Sequence, residues 1–161
     1  MCLHVLLKGQ GVYLMIKTIT YKDRTLAIWV PHHYQAEGIE FFTPDEFSQQ
    51  LGYMKRSEGY AIPPHVHNPV TREVEFTNEV LFIKSGRVRV DFYDDEHNYL
   101  ESHVLQSGDV ILLAHGGHGF QMLEESEIIE VKQGPYAGEQ DKTRFSSAPT
   151  DQIRIKEADD E

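Results

Sequence analysis

Residues 78–93 read NEVLFIKSGRVRVDFY, two strand-like runs joined by a Ser-Gly step. After Gly86 the chain alternates cleanly. Val88, Val90 and Phe92 fall on one side, and Arg87, Arg89 and Asp91 on the other. Successive side chains of a strand point to opposite faces, so this period of two predicts a half-buried strand. Before the Ser85-Gly86 turn, Asn78 to Lys84 carries apolar residues on both faces, which predicts a central strand. Asp94-Asp95-Glu96-His97-Asn98 is a polar hairpin loop, and Tyr99 to Gln106 is the return strand.

The same grammar extends outward. Downstream, Ser107-Gly108-Asp109 turns, Val110 to Ala114 is a buried strand, and Gly116 to Gly119 is a corner. Phe120 to Leu123 and Glu127 to Lys132 close the series. Upstream, Lys17 to Tyr21 and Arg24 to Val30 are β-rich runs split by a Lys-Asp turn. Gly38 to Phe42, Leu51 to Arg56 and Tyr60 to His67 are further strand candidates. Thr43-Pro44-Asp45-Glu46 has the capping residue, first-turn proline and glutamate of a short helix start. Many short strands at regular spacing predict an all-β protein, a β-sandwich or barrel. Asp151 to Lys156 alternates and reads as an edge strand, for this chain or for a partner subunit.

The chain has 161 residues, 40% apolar and 25% charged, enough for one domain with its own core. Its organisation divides into an N-terminal extension at 1–14, strands and a short helix at 15–50, a barrel at 51–133 and a polar segment at 134–161. Met15 opens a run that reads like a bacterial start, so residues 1–14 are expected to be non-native. The net charge of -11 makes phosphate-backbone binding a poor fit, so no nucleic-acid partner is expected. No apolar run approaches the roughly 18 residues of a membrane span. The single cysteine, Cys2, excludes an intramolecular disulfide and fits a cytoplasmic protein. No nucleophile elbow, P-loop or dinucleotide fingerprint is present.

The chemistry is concentrated around IPPHVHNPVTREVEF, residues 62–76. On a strand, His65 and His67 would share a face, as half of a metal site would require. Gly59 stands six residues before His65. Glu79 follows downstream, then Gly86, then Gly108-Asp109 and the corner Ala114-His115-Gly116-Gly117-His118-Gly119-Phe120.

This order resembles the cupin superfamily, whose first motif is G-x5-H-x-H, then Glu, then x6-G, and whose second is G-D-x4-P-x-G-x-x-H. The resemblance covers about Leu51 to Lys132. It implies a double-sheet jelly-roll β-barrel with His65, His67, Glu79 and His118 as ligands of a divalent metal ion, Fe, Zn, Ni or Mn. Three imidazoles and a carboxylate leave open coordination positions, the mark of a reactive site. The chain departs from the pattern in three places. The interval from His67 to Glu79 is longer than is usual and offers Glu73 and Glu75 as rival carboxylates. Ala114 replaces the proline. The second motif is one residue short, which makes His115 a rival to His118. Glu130-Val131-Lys132-Gln133-Gly134-Pro135-Tyr136 also looks like the closing strand of small cupin metalloproteins met in bacterial O-antigen and surface-polysaccharide clusters.

The function expected from the resemblance is metal-dependent isomerase or epimerase chemistry on a small polar or sugar-derived metabolite, with Glu79 as the catalytic carboxylate and a homodimer as the default assembly. Two alternatives use the same ligands: Fe(II)-dependent dioxygenation, and non-catalytic binding of a small ligand organised by the metal. Other side chains have simpler expected roles. His32-His33 reads as a surface turn, and His97 and His103 as solvated. Trp29 and Tyr53 read as core or sugar-stacking residues. Arg87 and Arg89 read as an exposed face or an anion grip, and Phe120 and Met122 as an apolar pocket wall.

Overall fold

Alternation of apolar residues builds two antiparallel sheets whose inner faces meet. The computed structural model describes residues 15–156, so the expectations for 1–14 and for the acidic end beyond 156 lie outside the described residues. The strands are β1 (Lys17–Tyr21), β2 (Arg24–Val30), β3 (Gly38–Phe41), β4 (Gly52–Lys55), β5 (Glu79–Ser85), β6 (Arg87–Tyr93), β7 (Tyr99–Gln106), β8 (Val110–Leu113), β9 (Gly117–Met122) and β10 (Glu127–Lys132). The larger sheet runs β1-β2-β8-β5-β10, and a second runs β7-β6-β9. Strands β3 and β4 form a separate hairpin. Among the described residues there is no α-helix and no closed barrel.

The inward residues of β6, Val88, Val90 and Phe92, share one buried cluster with Leu81, Ile83, Ile111 and Leu113 of the larger sheet. Ile83 is wholly buried there. Truncating such a residue to alanine costs about 2–5 kcal/mol. The tight β5–β6 connection depends on Gly86, whose φ is +84°. A side chain there would also overlap the carbonyl of Glu125 and the hydroxyl of Ser126.

Three expectations are corrected. Thr43-Pro44-Asp45-Glu46 makes a turn, with Phe47 N donating to Pro44 O at 3.1 Å, and no helix follows. The Thr43 hydroxyl does not cap a helix. It donates to Gln50 Oε1 at 2.8 Å and accepts from Leu51 N at 3.1 Å. His103 is not solvated. It lies fully buried between Trp29 and Phe92, with ring centroids 5.9 and 6.0 Å away, and its Nε2 meets Glu101 at 2.8 Å. On the outer face of β6 Arg87 is exposed, but the face is covered further along the strand. Asp91 is buried, gripped by Arg89 at 2.7 and 2.9 Å and by the Ser102 hydroxyl.

The cover over Asp91 and Ser102 comes from the C-terminal segment. Ser102 N donates to Arg154 O at 3.0 Å, and Lys156 N donates to Ser102 O at 2.8 Å. The expected edge strand at 151–156 is thus one parallel bridge, Ser102 with Ile155, made to the chain's own β7.

Candidate functional site

Glu79 and His118 come together because β5 and β9 belong to different sheets that face each other. Glu79 opens β5 and pairs across its neighbours with Leu113 and Lys132. Its entry is fixed by Asn78, whose amide side chain donates to Ala114 O at 3.1 Å and whose N–H donates to Gln133 Oε1 at 2.8 Å. His118 on β9 pairs with Phe92. Its Nε2 lies 3.1 Å from Glu79 Oε2. An ionised carboxylate only accepts, so Nε2 carries the proton in this contact. That hydrogen bond holds the Glu79 carboxyl below the usual carboxylate range. Burial opposes the effect, and Lys142 and Lys132 add to it.

The pair forms part of the lining of a cleft of about 430 Å³. Tyr93, Phe120 and Phe145 give it aromatic walls, and Lys142, Thr143 and Ser147 face it from the C-terminal segment. Phe120 thus fills the wall role expected for it, whereas Met122 does not line the cleft. The segment 141–147 is strapped down at both ends. Thr77 Oγ1 donates to Asp141 Oδ1 at 3.0 Å, and Lys132 Nζ is 3.7 Å from the other Asp141 oxygen. Phe145 lies flat on the His97 ring, 4.1 Å between centroids at 6°, and edge-on to Tyr93 at 5.0 Å. Gly117 makes the seat possible, since a Cβ there would sit 2.8 Å from Phe145 Cζ. His97 is exposed, as expected, and its ring forms the other side of this seat. Sequence reading treated 134–161 as a polar tail and missed the strap. The one signal it offered was a lone aromatic, Phe145, within a cationic and hydroxyl-rich run.

His65 and His67 are placed elsewhere. Residues 60–67 form no strand and are exposed throughout. Pro63, Pro64 and Pro69 remove backbone donors and fix φ, so the run cannot join a ladder. The two rings still meet edge-to-face at 5.3 Å. His65 Nδ1 lies 3.1 Å from Pro63 O. A carbonyl only accepts, so Nδ1 is the protonated nitrogen and Nε2 of the neutral ring is left free, the tautomer a metal ligand needs.

The rivals are set apart. Glu73, Glu75 and His115 line a different depression of about 290 Å³, with Phe47 and Phe76. His115 Nδ1 lies 3.1 Å from an Arg24 guanidinium nitrogen, which only donates, so Nδ1 accepts. Burial, then the Arg24 charge, push the His115 pKa down. Its acceptor nitrogen is therefore already used, and of the two corner histidines His118 is the one facing a carboxylate in a cleft.

Among the described residues no three His, Cys, Asp or Glu side chains are gathered as a metal-holding group. The donors that do fit are Glu79 and His118, an oxygen and a nitrogen in contact on rigid strands. His65, with its free Nε2, and His67 lie on the loop that leads to Thr77, which lines the cleft. Comparison with family models, curated proteins and solved structures gives no match. No helix among the described residues is long and apolar enough to cross a membrane.

Proposed function

We propose that this chain is a small jelly-roll protein of the cupin type that binds a divalent metal in the Glu79–His118 cleft and acts there on a small polar metabolite. The observation that carries the reading is the 3.1 Å contact between Glu79 Oε2 and His118 Nε2 in a cleft with aromatic walls. Glu79 and His118 are the fixed arms of the site, and His65 and His67 are the arms delivered by the 57–76 loop. Bound there, the ion would supply Lewis-acid polarisation of a carbonyl or hydroxyl oxygen, as isomerisation or epimerisation requires.

The chain's own groups have separable roles. Glu79 is ionised because His118 donates to it, so it can balance cationic charge. It can also accept a proton from a substrate carbon or hydroxyl when freed from that partner. To become a ligand through Nε2, His118 would carry its proton on Nδ1 instead, the tautomer that leaves Nε2 free. Tyr93, Phe120 and Phe145 offer apolar surface to a carbon skeleton, while the polar groups between them orient it.

Elemental analysis of the full chain tests the reading. Wild-type protein should carry close to one ion per chain. Glu79→Gln, His118→Ala and the His65→Ala/His67→Ala double variant should each lose it. Absence of metal from the wild type, even after reconstitution, would overturn the proposal. Iron as the resident ion would direct the next assay to oxygen uptake, and zinc, nickel or manganese to isomerisation.

A further inference from the structure

Among the charged groups around the cleft, the one that makes no close contact is a cation, although its charge reaches Glu79 and helps keep that carboxyl ionised. Glu79 is engaged by His118, Asp141 by Thr77 and Lys132, and Glu130 lies 4.0 Å from Lys132 Nζ. Arg144 is paired with Glu139. Lys142 lines the same cleft and has no ion-pair or hydrogen-bond partner among the described residues. Beside it on the strap, Thr143 and Ser147 line the cleft, and their hydroxyls have no hydrogen-bond partner among the described residues. An ammonium and two hydroxyls without hydrogen-bond partners, carried on one segment of the lining, can supply the donors that a tetrahedral or planar oxyanion accepts.

The geometry points to Lys142 as a specificity-determining residue that, with Thr143 and Ser147, binds an anionic phosphate or carboxylate group of the substrate opposite Glu79 and His118. The inference rests on this cleft being the substrate site, but not on the ion. Phe145 is the positioning residue, because its seat on His97, Tyr93 and Gly117 fixes the wall from which Lys142 projects.

The test is an NMR titration of the full chain in chelator at constant ionic strength, with inorganic phosphate in one arm and acetate in the other. Saturable shifts at the Lys142, Thr143 and Ser147 amides are expected with at least one anion. Saturation by phosphate alone assigns a phosphorylated substrate, and by acetate alone a carboxylate. Lys142→Met should weaken binding about tenfold. Lys142→Arg should retain it. Unchanged β6 amides show that both variants are folded. No saturable shift with either anion, or equal affinity in Lys142→Met, overturns the inference. Because the chelator removes the ion, the two proposals fail separately. Metal without an anion effect sinks this one, and an anion effect without metal sinks the earlier one.

Discussion

Phe145→Ala should release the strap while leaving the sheets intact. The substitution removes one flat contact with His97 and one edge contact with Tyr93, each a ring pair at ordinary stacking distance. Such pairs contribute about 0.5–1.5 kcal/mol apiece, so about 1–3 kcal/mol of strap closure should be lost. At room temperature that raises the open population roughly 5- to 150-fold. Amide hydrogen exchange reads this directly. Exchange at residues 141–148 should accelerate by that factor, whereas Val88 and Val90 in the core should not change. Phe145→Leu keeps bulk without the ring faces and should fall between. Unchanged exchange in the strap would refute the idea that the Gly117 seat holds this wall of the cleft. Equal acceleration in β6 would refute the idea that the strap opens alone.

Other outcomes follow from single features. Gly86→Ala places a side chain at φ +84° against Glu125 and Ser126 and should cost more than about 2 kcal/mol. A thermal melt matching wild type would contradict that. Burial depresses the folded-state pKa of His103, outweighing the pull of Glu101. Its contribution to stability is therefore complete above the unfolded value, about 6.5, and is lost as pH falls through the folded one. His103→Phe should flatten the fall in urea-unfolding stability below that value, and an unaltered pH profile would count against it. Residues 57–72 are exposed throughout, so limited proteolysis should cut there first. Added metal should protect the loop if His65 and His67 are ligands, and equal cleavage with and without metal speaks against them.

What could be read in advance depended on where each side chain finds its cover. The faces of Val88, Val90 and Phe92 are legible because a strand's alternation is written within a few residues. Asp91 and His103 are not, because Arg154 to Lys156 cover one side of β7 and Trp29 packs against the other. No local window contains both partners. Prolines were visible at 63, 64 and 69, yet the alternation of His65 and His67 suggested a strand that those prolines prevent. The juxtaposition of Glu79 with His118 was reachable only through the order of motifs, since the two residues lie in different sheets. The strap was illegible for a sharper reason. Its seat is an absent atom, the Cβ that Gly117 lacks, and a glycine in a glycine-rich corner gives no sign of what fills the space.

Under the proposed function, the cleft's two duties fall to different kinds of element. Glu79 and His118 sit on strands, where cross-strand pairing limits their movement. Lys142, Thr143 and Ser147 sit on a strap held by one aromatic seat and a few polar contacts. Reactive groups need positions fixed to a fraction of an ångström, while recognition tolerates and often requires movement for entry and release. Such a division predicts different kinetic signatures for the two parts. Removing Lys142 should raise KM with little effect on kcat if it grips ground state and transition state alike. Removing Glu79 should lower kcat itself. A Lys142→Met variant that lost kcat at unchanged KM would place the anion in the reacting part of the substrate, and the strap would then belong to the chemistry.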